Sequence, residues 1–410
     1  MSCEITMRFG RSRPPARFAP TSASLAGMRQ VEVVIVGAGV VGASVGWHLR
    51  QLGVRDVLLL ERESAVGLGS TGRATGGFRA QFGTEINVRL SLLSREKLLR
   101  FSDETGVDPG LAQRGYLFIA GSREHLAQLE AAQRIQRAAG LTEARMISAS
   151  EIAQINPHVD VGGACGSAFC PSDGFIRPLE ILRGYLRDAN VRTGARVVGL
   201  RRGRSGRIES LRTQDEEISA GCVVDAAGAW AGEVARLAGV DVPVAPLRRQ
   251  VGSTVPCDAL PAEMPMTVWT EDAFHIRVRD GRVLLVWPTP GDPRDPWSTA
   301  VDPEWLAQVA AKAKARVPRL GPVAVDPARS WAGLYEMSPD KHALLGRAAE
   351  CENLFLANGS SGHGVMHAPA LGQLLAEIIV HGEARSLDVR ALRPSRFVEG
   401  EPNVGAAEML

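Results

Sequence analysis

A single stretch near the start of the sequence, residues 31–62, restricts the fold more than any other feature. A β-branched run at residues 31–36 predicts a buried parallel strand, and Gly37, Gly39 and Gly42 follow it as G-x-G-x-x-G at the turn into a helix. In such a turn the first glycine permits the tight bend, the second lets a pyrophosphate approach the backbone, and the third lets the helix pack closely on the strand. The pattern predicts a dinucleotide-binding βαβ unit; the alternative is a glycine-rich turn that binds nothing.

The predicted unit ends in a carboxylate. The helix is predicted to stop at Gly53, residues 57–60 form the second strand, and Glu61 follows that strand. An acid about twenty residues beyond the glycines can accept hydrogen bonds from both ribose hydroxyls. NADP is disfavoured because this carboxylate would repel a 2′-phosphate. The unit alone does not separate NAD from FAD.

Length, charge and cysteine spacing limit the domain organisation and the functional classes that are open to the chain. A chain of 410 residues with 45% hydrophobic content suggests two domains, or one domain interrupted by another. A net charge of +2 argues against a nucleic-acid surface, and no apolar run reaches the length of a membrane span. The six cysteines form no C-x-x-C pair and have no histidines at zinc spacing, so no metal site is indicated. Reduced thiols in a cytoplasmic protein are expected.

Both ends of the chain differ in composition from the rest. Residues 1–29 are rich in arginine, proline and serine and lack the apolar core of a secretory signal. They are predicted to be a flexible extension or a mis-assigned start, and an organellar targeting segment stays open. Residues 391–410 are predicted to form a polar C-terminal tail.

A glycine-rich, basic segment, residues 67–83, follows Glu61 and is predicted to lack regular secondary structure. Its hydroxyls, arginines and freely presented backbone amides are what a second contact surface on a diphosphate and an electron-rich ring requires. The alternative is a flexible surface loop with scattered arginines. The candidate residues of this segment are Ser70, Thr71, Arg73, Gly76, Gly77 and Arg79.

Three separated motifs together resemble the FAD-dependent D-amino-acid oxidase superfamily, on the branch that holds glycine oxidase, sarcosine oxidase and dimethylglycine dehydrogenase. They are GAGVVGASVGWHL with Glu61, then GSTGRATGGFRAQF, then a late GHG at residues 362–364 that opens a final helix. The resemblance covers residues 31–381. The second motif, followed by a long helix, is most similar to the sarcosine oxidase β-subunit and L-proline dehydrogenase β-subunit group.

The resemblance implies an α/β fold, α+β overall, in two parts. A discontinuous Rossmann-like FAD-binding domain would comprise residues 30–109, 151–240 and 326–390. A mixed antiparallel-sheet substrate domain of the D-amino-acid oxidase type would comprise residues 110–150 and 241–325. FAD would lie extended, with its adenosine end on residues 37–61 and its ring between the glycine-rich segment and the GHG motif.

The late GHG motif also makes chemical sense on its own. Hydride transfer to the flavin leaves negative charge on one edge of its ring. The first amides of a helix can stabilise this charge, because they supply hydrogen-bond donors and the positive end of the helix dipole. The alternative is a plain linker before an apolar helix. The expected cofactor contacts, beyond those of the glycine-rich segment, are Gly37, Gly39, Val40, Val41, Gly42, Glu61, Arg62, Val197, Ala227, Gly228, Trp230, Gly362, His363, Gly364, Val365 and Met366.

Two positions depart from the resembling family. Monomeric sarcosine oxidase carries a flavin-bonding cysteine before its C-terminal motif, and that position corresponds to Gly333 here, so non-covalent FAD is expected. The same enzyme has a substrate-binding lysine shortly after GHG, where this chain has Met366. A bound carboxylate would therefore need another cation.

Five residues are candidates for the chemistry. Arg79 offers a permanently charged, bidentate fork for a substrate carboxylate, although a salt bridge at a domain seam is an equal alternative. His275 and Arg277 alternate on one predicted strand and would face the flavin together. His275 has the intrinsic pKa of a base, but a packed histidine fits the pattern as well. Tyr335 and His367 are candidates because they lie close to the C-terminal motif.

The sequence thus predicts an FAD-dependent dehydrogenase or oxidase that removes a hydride from the C–N bond of an N-alkylated or cyclic amino acid. Alternatives are oxidation of a D-amino acid or a 2-hydroxy acid, and a flavoprotein assembly factor whose turnover is incidental. Oxygen and a partner carrier are both open as electron acceptors. The resembling group often works in hetero-oligomers, so a second subunit is also open.

Overall fold

The computed structural model describes residues 28–289 and 296–403, so residues 1–27 of the predicted extension and residues 404–410 of the predicted tail lie outside it. The strands are β1 Arg29–Val36, β2 Val57–Leu60, β3 Gly77–Phe78, β4 Tyr116–Ala120, β5 Arg145–Ile147, β6 Gly166–Cys170, β7 Gly174–Phe175, β8 Asn190–Arg192, β9 Gly199–Arg202, β10 Ile208–Arg212, β11 Glu217–Asp225, β12 Ala245–Ser253, β13 Met266–Trp269, β14 His275–Arg279, β15 Arg282–Val286, β16 Trp331–Met337, β17 Leu344–Arg347 and β18 Leu354–Asn358. The helices are α1 Val40–Gln51, α2 Ser70–Arg73, α3 Glu85–Thr105, α4 Arg123–Ala138, α5 Ala149–Ile155, α6 Pro178–Tyr185, α7 Ala231–Arg236, α8 Pro303–Arg316 and α9 Gly364–His381.

The first sheet contains the predicted βαβ unit. Its strand order is β17-β18-β11-β1-β2-β8, and β10 and β9 extend it from β11 by antiparallel pairing. The central strand β1 lies parallel to β2 and β11. Val33, Val34 and Ile35 are fully buried, as expected for a parallel sheet with both faces covered. The predicted first strand, helix and second strand are confirmed.

Helices α1 and α9 pack against each other at Gly372, where a Cβ atom would lie 2.1 Å from Ser44 Oγ. At the start of α1, a Cβ atom on Gly42 would lie 2.0 Å from the carbonyl oxygen of Gly37, so α1 packs closely on the glycine turn. Val40 and Met366 belong to one apolar cluster. The beginning of α9 therefore lies beside the beginning of α1, at the first glycine turn.

The second sheet has the strand order β16-β12-β15-β14-β13-β4-β6-β5. It is mixed, because β13 and β4 are parallel whereas the other recorded pairs are antiparallel. Asp280 and Gly281 have φ of +53° and +70° and form a tight turn between β14 and β15. Helix α8 covers this sheet and is capped by Asp302, whose side chain accepts a hydrogen bond from the Glu304 amide at 2.9 Å. The predicted α/β class with a mixed second sheet is confirmed.

The glycine-rich segment is more regular than predicted. Helix α2 forms at residues 70–73, and β3 pairs with β7. The prediction of no regular structure is wrong because this backbone finds partners elsewhere in the fold. Ser70 Oγ donates to the Leu334 carbonyl of β16 at 2.7 Å, which fixes α2 against the second sheet.

Two further boundaries differ from the sequence interpretation. Strands β6 and β16 belong to the second sheet although they fall in segments predicted for the FAD-binding domain, so the domain boundaries stay a prediction. The described part of the predicted C-terminal tail, residues 391–403, packs on the fold, because Arg396 is fully buried. Its guanidinium donates to both carboxylate oxygens of Asp340, at 2.8 and 2.9 Å. Composition alone could not reveal this partner.

Candidate functional site

A cavity of about 760 Å³ is walled by residues of both sheets and brings together stretches that are far apart in the sequence. The predicted residues that line it are Gly37, Gly39, Val40, Val41, Glu61, Arg62, Ser70, Thr71, Arg73, Gly76, Gly77, Arg79, Val197, Ala227, Gly228, Trp230, His275, Tyr335, Gly362, His363, Gly364, Val365 and Met366. Gly42, Arg277 and His367 are not among the lining residues.

The first glycine turn and Glu61 form one part of the wall. Gly37 has φ of +104°, and a Cβ atom there would lie 2.4 Å from the carbonyl oxygen of Ala226. The close approach of these two backbone segments therefore requires glycine at residue 37. Glu61 Oε2 accepts a hydrogen bond from the Ala38 amide at 3.2 Å, and Oε1 accepts one from the Glu63 amide at 3.0 Å. Each carboxylate oxygen has a further lone pair that can accept a ribose hydroxyl.

The second glycine turn follows β11. Asp225 Oδ1 accepts a hydrogen bond from the Ala227 amide at 3.0 Å, and Gly228 has φ of +57°. Beyond it, the guanidinium of Arg62 lies 3.5 Å from the ring centroid of Trp230. This cation–π contact joins the ends of β2 and β11, so both predicted residues are held at the same part of the wall.

Helix α2 bridges the two sheets next to the cavity. Thr71 Oγ1 accepts a hydrogen bond from the Val40 amide at 3.1 Å. Arg73 Nη1 donates to the Ala332 carbonyl at 2.7 Å, and the Trp331 indole donates to the Arg73 carbonyl at 2.7 Å. Arg73 therefore links α2 to β16 as well as lining the cavity.

The beginning of α9 forms another part of the wall. Gly362 has φ of +94°, and a Cβ atom there would lie 2.5 Å from the ring of Tyr335. Gly364 opens α9, whose first amides have no partner within the helix and whose dipole is positive at this end. A side chain at residue 362 would clash with the Tyr335 ring, so the close packing of this turn on Tyr335 requires glycine. These residues fit the electron-rich edge of a flavin.

Arg79 lies beside this helix end and is 3% exposed. Its Nη1 donates to the Gln81 carbonyl at 2.6 Å, and its guanidinium lies 4.0 Å from the centroid of the Phe82 ring. Its Nη2 is 3.3 Å from His363 Nε2. Because a guanidinium only donates, this His363 nitrogen is the acceptor and the ring is neutral with its proton on Nδ1. Burial lowers the pKa of Arg79 from its usual value, yet a guanidinium remains charged at neutral pH.

His275 lines the cavity on the side of the second sheet. Its Nδ1 lies 2.9 Å from the Ala273 carbonyl, so Nδ1 carries the proton and Nε2 has the lone pair. Burial lowers the pKa of His275 to about 4. The ring is therefore neutral near pH 7 and is suited to accept a hydrogen bond rather than to serve as a strong base.

Two predicted catalytic residues lie outside the cavity wall. Arg277 donates to the carbonyls of Thr75 and Gly76 at 2.6 and 2.9 Å, so it supports the glycine-rich segment from behind. His367 Nε2 is 2.9 Å from Ser91 Oγ in the interface of α9 with α3. At these positions neither Arg277 nor His367 lines the cavity in which a substrate would bind. Gly42 has the predicted packing role and no contact with the cavity.

The sequence interpretation missed several residues of the site. Tyr116, Arg249 and Glu336 line the cavity. Asp173 is fully buried and accepts hydrogen bonds from the Ala80 amide and the Gln81 side chain at 2.7 and 3.1 Å. Burial raises the pKa of Asp173 to about 6. The strand pattern around Tyr116 was recognisable, but the sequence did not indicate which face of that strand meets the cavity.

Gly333 lies next to α2. A Cβ atom built on it would be 3.1 Å from the Cβ atom of Arg73, which is tighter than an ordinary contact. The position that carries a flavin-bonding cysteine in monomeric sarcosine oxidase thus has neither a thiol nor much space for one. This agrees with the expectation of non-covalent FAD.

The paired glycine turns, the fixed carboxylate after β2 and the helix end on one cavity define a flavin-dependent oxidoreductase. The chain belongs to the FAD-dependent oxidoreductase family DAO, whose model matches residues 32–378. FAD is the cofactor of this family, which confirms the predicted cofactor and the predicted superfamily.

Individual relatives agree with this assignment. The FAD-dependent oxidoreductase domain-containing protein 1 of Bos taurus is 30% identical, over 90% of this chain and 85% of its own length. The mitochondrial sarcosine dehydrogenase of Homo sapiens is 29% identical over 90% of this chain, which spans 41% of that enzyme. The crystal structure of L-proline dehydrogenase from P. horikoshii has a TM-score of 0.84 at 27% identity, covering 92% of this chain and 100% of its own.

The comparisons leave the cellular location open, because the sarcosine dehydrogenase relative is named as mitochondrial. Within residues 28–289 and 296–403, no helix has both the length and the apolar character needed to cross a membrane.

Proposed function

We propose that this protein oxidises the C–N bond of a small secondary or cyclic amino acid, with transfer of a hydride to FAD. The observation that carries the proposal is the position of Arg79, a desolvated cation beside the first turn of α9 on the wall of the cavity. The relatives named for sarcosine, L-proline and 4-methylaminobutanoate all act on secondary amines that carry a carboxylate, which supports the same substrate class.

In this proposal the backbone turns hold the cofactor. The turns at residues 37–42 and 226–228 take the diphosphate, and Glu61 accepts the ribose hydroxyls. The segment 70–77 and residues 362–366 flank the ring. Bound FAD supplies the hydride acceptor.

The side chains of the cavity position the substrate. Arg79 binds the carboxylate through its guanidinium fork, and the low exposure of the site strengthens that interaction. Neutral His275 accepts a hydrogen bond from the amine at Nε2, which orients the nitrogen lone pair and the α-hydrogen. Tyr335 packs against Gly362 and limits the space above the ring.

Anaerobic bleaching of the bound flavin tests the proposal. A panel of sarcosine, proline, N-methylaminobutanoate, D-amino acids and 2-hydroxy acids is added to the protein, and the decrease in flavin absorbance is followed over time. We expect the secondary and cyclic amino acids to bleach the flavin fastest. Bleaching by 2-hydroxy acids or D-amino acids alone would contradict the substrate class. The absence of bleaching, together with a co-purifying protein, would favour the assembly-factor alternative.

The identity of the electron acceptor and the presence of a second subunit can be tested on the same protein. After bleaching, oxygen or an artificial electron carrier is admitted, and the rate of flavin reoxidation separates an oxidase from a dehydrogenase. A dehydrogenase that co-purifies with a second subunit from the cytoplasmic fraction would match the hetero-oligomeric group that the sequence resembles.

A further inference from the structure

Glu336 is an acidic residue of the cavity wall, where the negative charge of a bound diphosphate would disfavour an ionised carboxylate. It lies on β16 and lines the cavity. A Cβ atom on Gly228 would be 3.7 Å from Glu336 Oε2, and a Cβ atom on Gly364 would be 3.4 Å from Oε1. Its carboxyl group thus lies between the second glycine turn and the first turn of α9. The Ser360 amide donates to Oε1 at 3.2 Å.

Among the residues that the structure describes, no charged group on the surrounding elements forms an ion pair with this carboxyl group. Arg73 on α2 donates to a backbone carbonyl of β16, and Arg249 on β12 lies over a tyrosine ring at 5.8 Å. His363 before α9 is neutral and contacts a guanidinium. Asp225, at the end of β11, is a second acid near Glu336 and adds repulsion.

The pKa values of both acids are raised. Burial raises the pKa of Glu336 to about 7, against the hydrogen bonds from residues 359 and 360. Burial, together with the charge of Glu336, raises the pKa of Asp225 to about 8. Asp225 Oδ2 is buried without a hydrogen-bond partner among the described residues. A bound dianionic diphosphate would shift both groups further toward the protonated form.

We propose that Glu336 is a cofactor-binding residue that acts as a neutral acid, donating its carboxyl proton to an oxygen of the ribityl-diphosphate part of FAD. An extended dinucleotide that contacts both glycine turns and the first turn of α9 passes the position of Glu336, which adjoins Gly228 and Gly364. An ionised carboxylate could only accept hydrogen bonds there and would repel the phosphates. The inference depends on FAD binding and not on the identity of the substrate.

FAD affinity measured against pH tests this role. FAD is stripped from the wild-type protein, Glu336→Gln and Glu336→Ala, and the dissociation constant is measured from pH 6 to 9 by quenching of flavin fluorescence on binding. We expect wild-type affinity to fall by up to about tenfold per pH unit once Glu336 loses its proton, because only the protonated form donates. Glu336→Gln keeps a donor and should bind FAD with a clearly smaller dependence on pH than the wild type, because only Asp225 then titrates at this site. Glu336→Ala should bind weakly at every pH.

Two controls assign the titration to Glu336. The exposed Glu263→Gln should titrate as the wild type does. Asp225→Asn should keep a pH-dependent affinity, because Glu336 is still present. The inference is overturned if wild-type affinity is constant from pH 6 to 9, if Glu336→Gln titrates like the wild type, or if Glu336→Gln loses FAD as Glu336→Ala does. Circular dichroism of each apoprotein at pH 6 and 9 confirms that the compared proteins are folded.

Discussion

Arg79 keeps a permanent charge in a place that water hardly reaches. Asp173 accepts hydrogen bonds from the Ala80 amide and from the Gln81 side chain, and the Gln81 carbonyl in turn accepts one from Arg79. The sequence predicted Arg79 because it lies in the glycine-rich segment and carries a permanently charged, bidentate guanidinium. It could not predict Asp173, because no local pattern joins two residues that meet only through the packing of β3 on β7.

Replacement of Arg79 tests the carboxylate contact. Arg79→Met removes a charge-assisted hydrogen bond, which contributes about 1.5–3 kcal/mol, so the KM for an amino-acid substrate should rise about 10- to 100-fold. FAD content should change far less. Steady-state kinetics and the flavin-to-protein absorbance ratio give both quantities. Exposed Arg183→Met is the matched control, and an unchanged KM for Arg79→Met would remove this residue from the substrate site.

Arg277 and His367, two predicted catalytic residues that do not line the cavity, show the limit of spacing arguments. Strand alternation puts His275 and Arg277 on one face, but the longer arginine reaches the backbone behind the glycine-rich segment. His367 lies one helical turn after His363 and faces α3 rather than the cavity. Residue spacing indicates which residues lie on the same face of a strand or helix. Only tertiary packing determines what that face contacts.

The elements with strong local signals were predictable. The predicted βαβ unit agrees with the structure, and the helix starts at Ser148 and Asp302 follow the usual capping patterns of their residue types. The short elements α2 and β3 were not predictable, since their stability comes from partners on β16 and β7. Helix α9 was predictable as an element, but its contact with α1 was not, because that contact depends on Gly372 lying against Ser44.

The contact between α1 and α9 can be tested at Gly372. Gly372→Ala places a methyl group 2.1 Å from Ser44 Oγ and 2.6 Å from the Ser44 backbone, so the helices must separate. Overpacking of this kind costs about 1–3 kcal/mol, and urea denaturation should show a loss of that size. FAD content should fall as well, because both helices begin at the cavity. Gly199→Ala meets only ordinary contacts at 3.6 Å or more and should retain wild-type stability; equal stability of the two variants would contradict a close helix contact.

At the scale of the whole molecule, two sheets share one cavity, and the chain crosses between them several times. The resemblance anticipated the convergence of the early and late glycine motifs, and the structure confirms it. It did not anticipate that β6 and β16 join the second sheet, because their sequences do not indicate which strands they pair with. The C-terminal segment that follows α9 was also misjudged, since its polar composition hides the buried pair of Arg396 and Asp340.

The buried pair should make the C-terminal segment necessary for stability. Arg396→Met leaves Asp340 buried without its cation, and breaking such a pair costs about 3–5 kcal/mol. Differential scanning fluorimetry should therefore show a clearly lower Tm. Arg390→Met breaks an exposed pair with Asp388 and should leave the Tm close to that of the wild type. A wild-type Tm for Arg396→Met would mean that this segment detaches freely in solution.

Gly333 has a consequence for how the protein is supplied with its coenzyme. Because this position has no thiol, we predict that FAD is held without a covalent bond, so the holoprotein would form by reversible association and the occupied fraction would follow the concentration of free FAD. Riboflavin shortage would then leave a pool of inactive protein that regains activity once the vitamin returns, without new synthesis of the polypeptide.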